Sequence, residues 1–219
     1  MSYVPAFPLG TAFLPGEAVV LRVFESRYLD LVRDVVERRD FFVTALISAG
    51  SEVGGGDQRF NVGVGVEIDH IEPSDIGLML YGHATEPLNI TEWNDDYSYP
   101  RAKCQPQQLC NQESSATEAE CSRLRDLSNE LEKFFDFLAT FDIPLPAPHG
   151  FVTSLLSSDM NQLSIRDCIQ IFWSCARLLP STPLTRSELL IDQTLLQRIE
   201  RAIEEIQHLT DIVRFRYGN

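Results

Sequence analysis

The chain has 219 residues, of which 18 are basic and 32 acidic, and its formal net charge at pH 7 is −14. Both halves carry the acidic excess, which disfavours nucleic acid because phosphates need clustered positive charge. No apolar run approaches the roughly 20 residues of a membrane span, and the first residues do not resemble a signal peptide. We therefore expect no nucleic-acid partner and no membrane partner.

The first half of the chain has the pattern of a β-rich domain. Short runs rich in Val, Ile and Phe alternate with breaks that contain Gly or Pro, and such runs are typical of strands. The runs are AVVLRVF, FFVTALI, RFNVGVGVEIDHI, GLMLYGHA and LNITEW. One helix is predicted near residues 26–39, where apolar residues from Tyr28 to Val36 recur at helical spacing. This pattern predicts a small, partly closed β-barrel with one helix over residues 1–112.

After residue 112 the apolar spacing becomes helical. Leucines and phenylalanines from Leu124 to Phe141 step by three or four, which predicts a long amphipathic helix with a capping box at Thr117 and Glu120. Three prolines between residues 144 and 148 end it. The remaining helical stretches are 164–179, which opens with a weaker capping box at Ser164 and Asp167, 185–191 and 192–213. Residues 113–219 are thus predicted to form a C-terminal α-helical bundle, which makes the chain an α+β protein.

The glycine run in GSEVGGGDQRFNVGVGVEI, residues 50–68, raises the question of a phosphate site. A P-loop has Lys and then Ser or Thr directly after its last glycine, but Gly56 and Asp57 stand there, and a carboxylate repels phosphate. A dinucleotide-binding loop opens a helix, whereas a strand-like run follows here. We therefore interpret the run as a hairpin loop in which glycine supplies positive φ.

The sequence shows no evident pair of nucleophile and base. The histidines are scattered, and Cys104, Cys110 and Cys121 lack the short spacing of a zinc site, so we expect no metal and no cofactor. The acidic segment Glu92–Asp96 fits either a cation site or a solvated turn, and we favour the turn. Five cysteines without a repeated spacing indicate reduced thiols, and hence a cytoplasmic protein.

The stretch VFESRY contains three polar side chains, Glu25, Arg27 and Tyr28, where a predicted strand meets a predicted helix. A carboxylate is favoured at a helix N-terminus by the unpaired main-chain amides. Two interpretations remain open. Either the group is a cap and an ion pair that fix this corner, or it is the polar edge of a binding groove.

Three stretches together resemble the Lon N-terminal, or substrate-binding, domain family in its stand-alone bacterial form. They are FPLGTAFLPGEAVVLRVFESRY, EVGGGDQRFNVGVGVEI and ITEWNDDYSYPRAKCQP. The resemblance implies a PUA-like β-barrel followed by a helical bundle. It also implies a non-catalytic module that binds unfolded or exposed apolar protein segments, with a protease as a further candidate partner. The ATPase and protease domains of Lon have no counterpart in this sequence, so we expect no enzyme.

Such a module needs an exposed apolar surface. The candidate substrate-binding residues are Leu9, Phe13 and Leu14, on a loop that Pro15-Gly16 would keep at the surface, together with Glu25, Arg27 and Tyr28. The oligomeric state stays open.

Two other functions stay open as alternatives. PUA-like barrels also occur in RNA-binding proteins, which would need the arginines at 22, 27, 33 and 101 to cluster. A hydrolase with an unrecognised site would need converging carboxylates from Glu25 or from Glu92–Asp96.

Overall fold

A computed structural model describes residues 3–51, 56–107, 115–148, 150–155 and 163–218. The chain forms two compact units, a sheet unit of Met1–Gln107 with Thr182–Ile191 and a helical unit of Gln108–Ser181 with Asp192–Asn219. The strands are β1 (Tyr3–Leu9), β2 (Ala18–Val23), β3 (Phe42–Ala49), β4 (Gln58–Pro73), β5 (Leu78–Asn94) and β6 (Arg101–Pro106). The helices are α1 (Ser26–Arg38), α2 (Glu118–Ala139), α3 (Phe151–Leu155), α4 (Ile165–Ala176), α5 (Pro183–Ile191) and α6 (Leu195–Tyr217).

The six strands form one mixed sheet in the order β2-β5-β4-β3-β1-β6. β1 and β3 are parallel, and the other pairs are antiparallel. β6 pairs with both β1 and β5, so the pairings run through β1, β3, β4, β5 and β6 and return to their start. β2 lies outside this cycle and pairs with β5. The α+β prediction is therefore confirmed at the level of a mixed sheet combined with helices.

The strands differ from the sequence prediction in two respects. The runs GLMLYGHA and LNITEW, predicted as two strands, belong to the single long strand β5. β1 and β6 were not predicted, because β1 contains Pro5 and Pro8 and β6 is short and contains polar residues. Proline lacks the N–H that a strand donates and so masks a strand in sequence.

The glycine run joins antiparallel strands, as the hairpin interpretation predicts. β3 ends at Ala49 and β4 begins at Gln58, and the two strands pair with each other. Gly50 and Gly56 adopt positive φ angles of 105° and 76°. Residues 52–55, which include the first two glycines of the run, lie outside the described residues.

The core of the sheet unit joins α1 to the strands. A buried cluster from four strands contains Ala6, Val43, Ala45, Leu88, Ile90 and Ala102. The predicted apolar side of α1 is buried at Tyr28, Leu31, Val32 and Val35, whereas Val36 is exposed. Tyr28 stacks on Phe7 of β1, with ring centroids 3.9 Å apart.

The helical unit is built on α2, which contacts α3, α4 and α6. Both predicted capping boxes are present: Thr117 pairs with Glu120 at the start of α2, and Ser164 pairs with Asp167 at the start of α4. A third box at the start of α6 was not predicted. Each box satisfies main-chain amides at a helix N-terminus and so fixes where the helix begins.

α5 belongs to the sheet unit, although the sequence assigned it to the helical half. Arg186 of α5 forms an ion pair with Glu17 and donates to the carbonyl of Ala12 at 2.7 Å. Gln107 donates to the carbonyl of Leu190 at 2.6 Å. These contacts join residues far apart in the chain, so no local pattern could reveal them. The predicted boundary at residue 112 lies outside the described residues.

Candidate functional site

The contacts within VFESRY, where β2 leads into α1, are those expected of a structural role. Arg27 Nε donates to a carboxylate oxygen of Glu25 at 3.0 Å, and its guanidinium lies 4.5 Å from the centre of the Tyr28 ring. Glu25 is the N-cap residue of α1, but its side chain makes no capping hydrogen bond. Since the Tyr28 ring is buried against Phe7, it presents no open surface. The ion pair of the first interpretation is therefore present, whereas the side-chain cap is not.

The buried Tyr28 phenol gives a testable pH dependence. Burial raises its pKa to about 12, whereas a tyrosine in an unfolded chain ionises near pH 10. Between these values the unfolded state loses the proton first, so the free energy of unfolding should fall as the pH rises. We expect the urea midpoint to drop less from pH 9 to pH 11 in Tyr28→Phe than in the parent chain. Equal drops in both proteins would contradict this assignment.

The candidate residues of the loop were predicted to be exposed, and the structure differs from this prediction. Leu9 and Leu14 are buried, and Phe13 is partly exposed. The turn after Leu14 is tied to the sheet, because Gly16 N–H donates to the Ala84 carbonyl at 2.8 Å. The expectation that Pro15-Gly16 keeps this loop open is therefore wrong, and Leu9 and Leu14 cannot offer apolar surface to a ligand.

An open apolar groove lies instead in the helical unit. It has a volume of ≈ 480 Å³ and is lined by α2, the segment after it, the segment directly after α4 and the last turns of α6. No carboxylate is present among the described lining residues. Ile212 on its wall is 46% exposed. Six of the apolar residues that line it are Leu138, Ile143, Leu145, Leu209, Ile212 and Val213.

The chain after α2 forms one wall of this groove. Asp142 adopts a left-handed φ of 55°, and its N–H donates to the Ala139 carbonyl at 3.2 Å. The next N–H, of Ile143, reaches back to the Leu138 carbonyl at 3.3 Å. This is a Schellman motif, which brings the apolar residue after the turn against the last turn of the helix. The prolines from residue 144 then keep the segment from returning to helix.

α6 forms the opposite wall because its apolar stripe is longer than the core that covers it. The stripe is buried at Ile199, Ile203 and Ile206 and partly exposed at Leu209 and Val213. The sequence revealed the whole stripe, which was assigned to packing within a bundle. Its excess length, together with the proline-rich segment, was the signal that could have indicated a groove.

The sheet unit has a separate group of exposed apolar side chains. Val20 on β2, Phe24 directly after it and Ile76 in the turn before β5 are 52%, 50% and 61% exposed. All three lie on or near β2, the strand outside the cycle of pairings.

The structure offers little to the two alternative functions. Of the four arginines that RNA binding would need, Arg27 pairs with Glu25, Arg33 pairs with Asp30 at 2.6 Å, and Arg101 donates to a main-chain carbonyl. These contacts reduce the positive charge available to a phosphate backbone.

The carboxylates of the proposed hydrolase are likewise engaged. Glu92 accepts from the Tyr3 hydroxyl, and Asp95 pairs with Arg59 at 2.8 Å. Within the described ranges, no three His, Cys, Asp or Glu side chains are placed to hold a metal ion. Among the same residues, no helix has the length and apolar character to cross a membrane.

The structure thus combines a mixed sheet with helices that carry an apolar groove. The family model described as the ATP-dependent protease La (LON) substrate-binding domain matches residues 3–208, and the chain belongs to that family. The resemblance found in the sequence is thus confirmed.

Two solved structures show the same fold. A Lon N-terminal domain protein from Xanthomonas campestris is 23% identical with a TM-score of 0.60, and the alignment covers 93% of this chain and 98% of that one. The N-terminal domain of Lon protease from Mycobacterium avium complex is 13% identical with a TM-score of 0.62, covering 94% of this chain and 98% of that one. A search of curated protein sequences found no match.

Proposed function

We propose that this protein is a non-catalytic module that binds exposed apolar segments of unfolded polypeptides. The observation that carries the proposal is the apolar groove of the helical unit, which is open at Ile212 and has a volume of ≈ 480 Å³. Membership in a family named for substrate binding supports the same function.

The size of the groove sets the expected strength of binding. Full burial of one large aliphatic side chain contributes about 1.5–3 kcal/mol, and a groove of this volume accepts a few such side chains. Since ordering an unfolded segment offsets part of that gain, we expect dissociation constants on the order of micromolar or weaker. Such affinity suits a module that samples many unfolded chains.

The finer features of the module are part of the same proposal. A partly closed PUA-like barrel is supported by the cycle of strand pairings, and a helical bundle by the packing of α3, α4 and α6 on α2. A cytoplasmic location is supported by the four described cysteines, which form no disulfide with one another. A protease remains the candidate partner to which a bound polypeptide would pass.

The test is a titration of the protein into a fluorescently labelled polypeptide that reduction and alkylation keep unfolded, followed by anisotropy. The polypeptide should carry net negative charge, so that long-range attraction to this acidic chain cannot cause binding. We expect saturable binding, and we expect Ile212→Asp to weaken it about tenfold, because a carboxylate in an apolar groove loses solvation.

Phe215→Asp is the matched control. Phe215 lies on the same helix and is 94% exposed, and it is not among the residues that line the groove. The proposal predicts near-parental affinity for this variant. Equal weakening by both substitutions would show that charge rather than the groove governs binding, and absence of saturable binding in the parent chain would overturn the proposal.

A further inference from the structure

We propose that the free edge of β2 is a second polypeptide-binding site, at which an extended segment adds to the sheet as a further strand. The inference rests on the proposed function for the kind of ligand, an unfolded polypeptide. It differs in the surface, which belongs to the sheet unit, and in what is recognised, which is the main chain.

No described strand pairs with the outer edge of β2 at any point along its length. Among the described residues β2 pairs with β5 alone, over Ala18–Val23. Ala18, Val20 and Arg22 are exposed in the folded chain. An unpaired strand edge presents a row of N–H and C=O groups, which is a template for another strand.

The contacts at both ends of β2 show which main-chain groups point outward. The Glu17 carbonyl, just before the strand, accepts from Ala84 N–H of β5 at 2.8 Å. At the other end, the Val23 carbonyl lies so close to the turn before β5 that a Cβ on Gly77 would stand 2.0 Å from it. Residues 17 and 23 therefore face β5. Because the direction alternates along a strand, the N–H and C=O groups of residues 18, 20 and 22 face away from the sheet.

This edge has few of the features with which proteins usually block strand addition. Pro, bulges and charged side chains, above all Lys, are common ones. β2 has the sequence AVVLRV, without Pro or Lys, and its pairing with β5 runs without a register shift. The pairings of β4 and of β6 with β5 do contain such shifts. Arg22 is the one charged residue of the strand.

Exposed apolar side chains accompany the open edge. Val20 and Phe24 lie on or directly after β2, and Ile76 is carried by the turn whose Gly77 packs against Val23 and Phe24. In strand addition the main chain supplies affinity, and alternate side chains fill neighbouring surface. The surface therefore suits an extended segment with alternating apolar residues and imposes little sequence preference.

A foreign unfolded segment fits this edge better than a second copy of the chain. Each copy carries a net charge of −14, and this repulsion opposes self-association. A neutral extended segment meets no such repulsion. The single arginine at position 22 adds a preference for segments without Lys or Arg near it.

Amide hydrogen exchange, measured by NMR on the full chain, tests the inference. The probe is a peptide of alternating threonine and valine flanked by serines. With free probe at about one hundred times its dissociation constant, exchange of the amides of Ala18, Val20 and Arg22 should slow about a hundredfold.

Two substitutions separate this site from the groove. Val20→Pro removes an outward N–H and should abolish the protection at Ala18 and Arg22, whereas Val20→Thr keeps the donor and should preserve it. Ile212→Asp, in the helical unit, should leave the protection unchanged.

Each remaining outcome of the experiment leads to a different conclusion. Probe binding without slowed exchange at residues 18, 20 and 22 would overturn the inference and leave the proposed function standing. Protection that grows with protein concentration in the absence of probe would identify a second copy as the occupant and also overturn it. Absence of any probe or polypeptide binding would overturn the inference together with the proposed function.

Discussion

Replacement of Gly63 by alanine is expected to cost the sheet unit at least about 3 kcal/mol of unfolding free energy. Gly63 lies on β4 between β3 and β5, opposite Ala45 and Leu88. A Cβ built there would stand 2.0 Å from the main-chain oxygen of Thr44. The obstacle is main chain of a paired strand, so the strands themselves must separate to admit a methyl group.

The control for Gly63→Ala is Gly56→Ala. At Gly56 a Cβ would meet no atom within 4 Å, and the only cost is the positive φ of 76°, about 1 kcal/mol. Urea unfolding followed by the fluorescence of Trp93, with Trp173 replaced by Phe, reports on the sheet unit. Equal midpoints for the two alanine variants would contradict the assigned contact.

Replacement of Arg198 by alanine is expected to cost the helical unit about 3 kcal/mol. The side chain is fully buried on α6, with its guanidinium 4.8 Å from the centre of the Trp173 ring. Its Nε donates to the Asp192 carbonyl at 2.9 Å. Burial lowers the pKa of this guanidinium to about 10, because desolvation opposes its charged form. The contribution should therefore come from packing and the hydrogen bond.

Arg198→Met separates the contribution of side-chain volume from those of the charge and the hydrogen bond. Methionine fills much of the same volume without a charge, so its cost should be about 1 kcal/mol, well below that of alanine. Urea unfolding followed by Trp173 fluorescence, with Trp93 replaced by Phe, measures both variants. If methionine proves as damaging as alanine, the hydrogen bond or the charge, rather than the volume, stabilises α6.

Features that depend on short-range pattern could be predicted from the sequence. The boxes at Thr117 and Ser164 and the apolar stripes of α2 and α6 follow from helical periodicity and local hydrogen bonding. The hairpin after β3 follows from its glycines and from the residues that exclude a phosphate site.

Features that depend on contacts between residues far apart in the chain could not be predicted from the sequence. β1 was hidden by its prolines, of which Pro5 lies opposite Arg101 of β6 and Pro8 opposite Ala45 of β3. The place of α5 is set by the ion pair of Arg186 with Glu17. The same contacts close the loop around Leu14, which is why Leu9 and Leu14 proved to be buried.

The central claim is tested most directly by photo-crosslinking with an unfolded apolar peptide that carries a benzophenone, followed by mass spectrometry of the adducts. The groove accounts for binding only if the reactive group reaches its walls. We predict adducts within residues 143–146 and 209–213, lost in Ile212→Asp and kept in Phe215→Asp. Bound peptide without adducts on either segment would contradict the account.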